Sequence, residues 1–341
     1  MPQKLKESFQ VRQLVIDLGL KPSGHAIADV LRYCDKRVHG FLRDYPECET
    51  LTDLLAWIAA KVKTKFEVIC SEQDLDRVQV DYLVKGEKAF VSLRQDLPDD
   101  VFGITYRRMS REPWEPDYIS VIDCRGEKAA REYFTKWHEI AHLLVLTGQM
   151  RMSFRRTHCQ ATKKDPEESL MDIIAGRFAF YGPFIRKHAK GRASFDSIEK
   201  LRAILCPTAS KESALIGFAQ SWPSPCLLVY ADLGLKKDEA SRLSQQSFAF
   251  ITAPMPTLRA LHSTPNESAR EMGLNIFPNM RIPERSVIYR VFADGTPRDE
   301  AFENLEWWES SNGRRLPSHR LFVIARRSPK GGVDALIVSA R

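Results

Sequence analysis

Tyr133-Phe134-Thr135-Lys136-Trp137-His138-Glu139-Ile140-Ala141-His142-Leu143-Leu144-Val145-Leu146 is the stretch that decides how this chain is to be read. Its apolar residues recur with helical spacing, and Gly148 supplies a stop. His138 and His142 stand at i and i+4, so both imidazoles lie on one face of the helix and can grip a single metal ion from the same side. Glu139 lies one residue on, where it can take a proton from a water held by that metal. Trp137, Ile140, Ala141, Leu144 and Val145 form the face that packs inward. A strand-like run from Tyr118 to Asp123 and the turn pair Arg125-Gly126 come just before. The H-E-x-x-H motif therefore sits on a strand–turn–helix unit.

Catalytic zinc keeps three protein ligands and one open position, so a third ligand is required. The extended form H-E-x-x-H-x-x-G-x-x-H is absent, because Val145 stands where its Gly would be and Gly148 where its third His would be. Two downstream stretches offer a ligand. His158 lies in a basic, loop-like segment, where its plainer reading is an ordinary surface histidine. The stretch Asp165-Pro166-Glu167-Glu168-Ser169-Leu170-Met171-Asp172 reads as a helix start, with Asp165 as N-cap, Pro166 at the first helical position and acidic residues in the first turn. Glu168 and Asp172 share a face, opposite Leu170, Ile173, Ile174 and Phe178. Glu168 is the expected third ligand, with His158 the alternative. Asp172 is expected to accept the free ring N–H of a ligand histidine and so fix its tautomer. Zinc suits a His-His-Glu set best, and manganese is the other candidate.

These residues resemble the ImmA/IrrE metallopeptidases. Phe134-Thr135-x-x-His138-Glu139-x-x-His142 is similar to the family's F-T-x-x-H-E-x-x-H, and Glu168-x-x-Met171-Asp172-x-Ile174-Ala175 is similar to its E-x-x-[AC]-[ND]-x-[FI]-A. The resemblance covers roughly residues 50–183. Met171 replaces a small residue, and Pro183 is displaced from its usual place after the second motif, but neither change touches an expected ligand. The resemblance implies a zincin-like, gluzincin-type fold and an intracellular regulatory endopeptidase. Its implied substrate is a helix-turn-helix transcriptional repressor, whose cleavage releases stress, prophage or mobile-element genes. It also implies a C-terminal sensor-like region.

Composition narrows the remainder. At 341 residues the chain has room for two or three domains, and 43% hydrophobic residues is ordinary for a globular protein. No apolar run approaches the length needed to span a bilayer, and the N-terminus lacks a signal-peptide core, so a cytoplasmic location without membrane association is expected. Seven cysteines at irregular spacings, with no C-x-x-C pair, read as reduced thiols, and Cys70 and Cys226 are expected to be buried. A net charge of +7 permits contact with DNA, but the basic residues are spread out, and direct DNA binding is not the expected role.

The fold class expected is α+β. Residues 1–45 form an N-terminal helical segment, residues 46–190 the metallopeptidase domain, residues 193–225 a helical, possible helix-turn-helix linker, and residues 226–341 an α/β sensor or interaction domain. Strands are expected at residues 65–70, 90–93 and 118–124 in the catalytic domain, with 97–115 as loop. Further strands are expected at 227–231, 247–252, 286–292, 321–326 and 333–339. The alternative to an endopeptidase is a non-proteolytic, metal-binding regulator that binds a repressor or DNA.

Overall fold

The computed structural model describes residues 8–109, 111–146, 153–157, 165–236, 239, 255–310, 313 and 315–340. The expected strand at 247–252 and the candidate ligand His158 lie outside them. The chain is a mixed α+β protein that divides into two compact units, Pro2–Phe184 with Arg202–Ala214, and Ile185–Leu201 with Leu215–Arg341. Among the described residues no helix is long and apolar enough to cross a membrane.

The first unit begins with α1 (Phe9–Asp17), α2 (Ala26–Arg43) and α3 (Leu51–Lys61), followed by β1 (Thr64–Ile69) and α4 (Glu72–Val84). Side-chain caps start α1, α3 and α4. Thr50 accepts from the Asp53 amide at 3.0 Å. Ser71 accepts from the Asp74 amide at 3.1 Å, and the Asp74 carboxylate accepts from the Cys70 amide at 3.1 Å and the Ser71 hydroxyl at 2.8 Å, so two backbone donors at the start of α4 are satisfied. A 3-10 turn (Lys88–Ser92) runs into the short α5 (Leu93–Asp96), where the sequence suggested a strand. The turn lets Phe90 reach the core, with ring centroids 4.5 Å from Tyr82 and 4.7 Å from Tyr106. A short apolar run does not by its periodicity distinguish the two outcomes.

Next come β2 (Val101–Arg107) and β3 (Tyr118–Asp123), then a 3-10 turn (Gly126–Arg131) leading into α6 (Glu132–Leu144), β4 (Ser153–Thr157) and α7 (Pro166–Ala179). The segment read as a loop, 97–115, thus contains a full strand. Its flanking Pro98-Asp99-Asp100 masked a run of β-branched and aromatic residues. The sheet order is β1-β3-β2-β4, with β1 parallel to β3 and β2 antiparallel to both of its neighbours. Strand alternation gives the sheet two unlike faces. Ile69, Ile104, Tyr106, Ile119 and Val121 join an apolar core with Leu75, Val78, Phe90 and Leu93. The other face presents Gly103, Thr105 and Ser120 towards α6.

Residues of both units lie on α8 (Gly182–His188), α9 (Phe195–Leu205) and α10 (Lys211–Ser221). The second unit carries β5 (Cys226–Gly234), β6 (Thr257–Pro265), α11 (Glu267–Glu271), α12 (Val287–Ala293), β7 (Arg298–Asn304), β8 (Arg320–Arg327) and β9 (Val333–Ser339). All pairs in its sheet are antiparallel, in the order β6-β5-β9-β8-β7. One face packs on α12 around Val287, Ile288, Val291 and the fully buried Trp308. Residues 286–292, expected as a strand, are helical because the N-terminus is capped twice: Ser286 accepts from the Ile288 amide at 3.2 Å, and the buried Glu303 accepts from the Val287 amide at 2.8 Å. Burial pushes the Glu303 carboxyl up, against the Val287 amide and the Ser286 hydroxyl that donate to it.

Cys226 is buried as expected, but Cys70 is exposed at the end of β1. Burial pushes the thiols of Cys34, Cys124, Cys206 and Cys226 up to about 12, so they remain protonated and inert.

The entry to α6 is locked by Asp123. Its wholly buried carboxylate accepts from Arg125 Nε at 2.9 Å, Arg125 Nη2 at 2.9 Å, the Arg125 amide at 3.1 Å and Lys128 Nζ at 2.7 Å. Burial pushes this carboxyl up, but the Arg125 and Lys128 bonds outweigh burial and hold it below its ordinary value of 3.8. A depressed folded-state value means that the stabilisation is present above 3.8 and lost as pH falls from there through the folded value. Asp123→Ala should lower the unfolding free energy at neutral pH by about 3 kcal/mol, measured by urea denaturation. The gap between wild type and variant should shrink as the solution is acidified below 3.8.

Candidate metal centre

The centre is built where α6 and α7 pack together. The α6 face bearing Trp137, Ile140, Ala141 and Leu144 is fully buried, and the Tyr133 hydroxyl donates to the Ala179 carbonyl at 2.7 Å, tying the start of α6 to the end of α7. Trp137 stacks towards Phe178 of α7 with ring centroids 6.5 Å apart. The C-terminal end of α6 is held by Arg37 of α2, whose Nη1 donates to the Leu144 carbonyl at 2.5 Å. A guanidinium at that end satisfies an orphan carbonyl and complements the helix dipole. Asp35, two residues earlier on α2, receives Arg177 of α7 at 2.7 Å and 2.8 Å, so α2 braces both helices of the site.

The start of α7 follows its sequence signals. Asp165 accepts from the Glu167 amide at 2.9 Å, Pro166 occupies the first turn, and Glu167 and Glu168 follow. This register carries Glu168 and Asp172 to the two histidines. His138 Nε2 and His142 Nε2 lie 3.2 Å apart, Glu168 Oε2 is 3.0 Å from His138 Nε2, and Glu168 Oε1 is 3.4 Å from His142 Nε2. Among the described residues these three side chains form the group whose ligand atoms converge closely enough to hold a metal ion, all within 4.8 Å of one another.

The donor set can be tested against the ion. Zn–N and Zn–O bonds of about 2.0–2.1 Å in tetrahedral array place neighbouring ligand atoms about 3.3–3.4 Å apart. The two Nε2 atoms at 3.2 Å, with one Glu168 oxygen at 3.0 Å from His138 and the other at 3.4 Å from His142, lie close to that spacing. Asp172 Oδ1 lies 3.0 Å from His138 Nδ1. A carboxylate there accepts the Nδ1 proton, and Nε2 is left as a lone pair facing the triangle. Three lone-pair donors so close together are stable around a cation. His138 and His142 are 1% and 3% exposed, while the side chains of Glu168 and Asp172 are 27% and 28% exposed, so the centre is open along the α7 side.

Glu139 is fully buried and stands outside the triangle. Its Oε2 accepts from the Thr105 hydroxyl on β2 at 2.7 Å. Position 103 must be glycine for this approach: a Cβ there would lie 2.8 Å from Thr135 Cγ2 and 3.0 Å from Glu139 Oε1. Apart from His158, which lies outside the described residues, the site residues singled out from the sequence are thus placed. His138, His142 and Glu168 converge, Asp172 backs His138, and Glu139 sits between α6 and the sheet. The sequence reading missed Gly103, Thr105 and Ser120. The signal that could have found the first two is the run Val101-Phe102-Gly103-Ile104-Thr105-Tyr106, which alternates as a strand once Pro98 is taken as its start.

Metal analysis of the purified chain should return about one equivalent. Glu168→Ala should lose it, and Asp172→Ala should keep the site but weaken affinity by about 10–100-fold. Elemental mass spectrometry and competition with a chelating dye measure both.

No protein-family model matches this chain, and no curated protein matches it.

Proposed function

We propose that the chain is a zinc-dependent endopeptidase of the zincin-like, ImmA/IrrE type, acting inside the cell on a helix-turn-helix repressor. The observation that carries the reading is the triangle of His138 Nε2, His142 Nε2 and a Glu168 carboxylate, with Glu139 beside it but not in it. Three protein ligands with an open side are the arrangement of a catalytic rather than a structural site.

Zinc in that triangle supplies Lewis acidity, polarising the scissile carbonyl and easing ionisation of a water. The chain supplies the rest. Asp172 keeps the His138 ring in one tautomer. Glu139 takes a proton from the attacking water as its oxygen bonds to the carbonyl carbon, then returns that proton to the amide nitrogen as the C–N bond breaks. Glu139 is itself fully buried against β2, with Thr105 and Gly103 beside it, which keeps bulk solvent from one side of this transfer. The motif residues Phe134-Thr135 and Glu168 to Ala175 support the family assignment, and the separate antiparallel unit supports a regulatory role beside catalysis.

Glu139→Gln should retain fold and one metal but lose cleavage by at least about 100-fold, measured on a quenched-fluorescence peptide pool with the zinc-loaded chain. Undiminished cleavage by this variant would sink the mechanism. Because it binds without cutting, the same variant should retain the intact substrate on affinity capture from cells, identified as a helix-turn-helix repressor by mass spectrometry.

A further inference from the structure

Three hydroxyl groups cross the first sheet in a line that ends on Glu139. Thr64 of β1, Ser120 of β3 and Thr105 of β2 are 7%, 0% and 1% exposed. Thr64 Oγ1 lies 3.0 Å from Ser120 Oγ, Ser120 Oγ lies 2.7 Å from Thr105 Oγ1, and Thr105 Oγ1 lies 2.7 Å from Glu139 Oε2. Strand pairing sets the row: Ser120 is the register partner of Thr105 and of Phe66, two residues along β1 from Thr64.

The direction of the row follows from counting protons. An ionised carboxylate only accepts, and a hydroxyl has one proton to give. Thr105 commits its proton to Glu139, so Ser120 must donate to Thr105. Thr64 then has Ser120 Oγ at 3.0 Å and the Tyr118 carbonyl at 3.5 Å as acceptors, and the nearer is Ser120. Each hydroxyl thereby fixes the rotor of the next, and the last holds one carboxylate oxygen. Gly103 keeps room for the other, since a side chain there would press on Glu139 Oε1.

A purely structural contact between α6 and β2 would be made more cheaply with apolar side chains, because a buried carboxylate carries a large desolvation cost. We propose that Thr105, backed by Ser120 and Thr64, is the positioning residue that aims the Glu139 carboxylate in the reaction. The proposal rests on the reading of Glu139 as the proton-transfer group. Thr105 touches none of the three residues of the metal triangle in the hydrogen bonds described, so its role is separable from metal retention.

The test compares zinc-loaded wild type with Thr105→Val, which keeps the shape of the side chain and removes the donor, and with Thr105→Ser, which keeps the donor. Zinc content should be unchanged in both. On a peptide that the wild type cleaves, kcat of Thr105→Val should fall about 100-fold with KM unchanged, and Thr105→Ser should restore kcat. Ser120→Ala, which leaves the Glu139 contact in place, should give a smaller loss and covers the case in which Thr105→Val does not fold. Loss of zinc in Thr105→Val, or equal failure of the Val and Ser variants, would overturn the proposal in favour of a structural role. If the wild type cleaves no peptide, the proposed function fails by itself, and infrared spectroscopy of the metal-free chain decides for Thr105. The carboxylate stretch that disappears in Glu139→Gln should shift in Thr105→Val and stay in place in Thr105→Ser, and an unshifted band in Thr105→Val would refute the positioning.

Discussion

Ionisable side chains buried within a helix need partners, and α6 buries three. His138, Glu139 and His142 are all within a few per cent of complete burial. Leaving any of them unpartnered would cost several kcal/mol. The neighbouring elements answer this one requirement. α7 brings Asp172 and Glu168 to the histidines, and β2 brings Thr105 to Glu139. α2 brings Arg37 to the carbonyl end of the same helix. The polar partners thus come from three directions, and the apolar face of α6 is free to form the core.

The same constraint explains why the sheet has two unlike faces. Towards α4 it is an ordinary aliphatic and aromatic layer that includes Tyr106 and Val121. Towards α6 it carries a glycine and three hydroxyls, which would be poor choices for a packing surface alone. Gly103 allows the helix to come close, and the hydroxyls accommodate the charge it brings. Asp123 and its two basic partners fix where β3 releases the chain into the turn before α6, so the approach of helix to sheet is set at its origin.

The second unit uses a buried carboxylate differently. Glu303 on β7 caps α12 together with Ser286 and lies in a core of Val, Ile, Leu and Trp side chains. No metal-holding group of three accompanies it among the described residues. Its sheet order places the first strand of the unit, β5, between β6 and the last strand, β9, so the unit closes on itself through its terminal strand.

Much of the candidate centre could be read along the chain, because helical spacing and capping are local. The i, i+4 relation of His138 and His142, the Asp165-Pro166 start of α7 and the shared face of Glu168 and Asp172 depend only on residues within a turn or two of each other. The same holds for the hairpin of β8 and β9, where Gly331 and Gly332 take positive φ. What the sequence did not disclose depends on neighbours far away in the chain. Phe90 is in a turn rather than a strand because Tyr82 and Tyr106 offer it a place. Residues 287–293 are a helix because Glu303, sixteen residues from Val287, caps it. Thr105 meets Glu139 across 34 residues because strand register and helix packing bring β2 under α6. The sequence alone determined which side chains could bind and in what local order. Only the tertiary structure decided which of them meet, since burial creates the demand for partners and distant elements supply them.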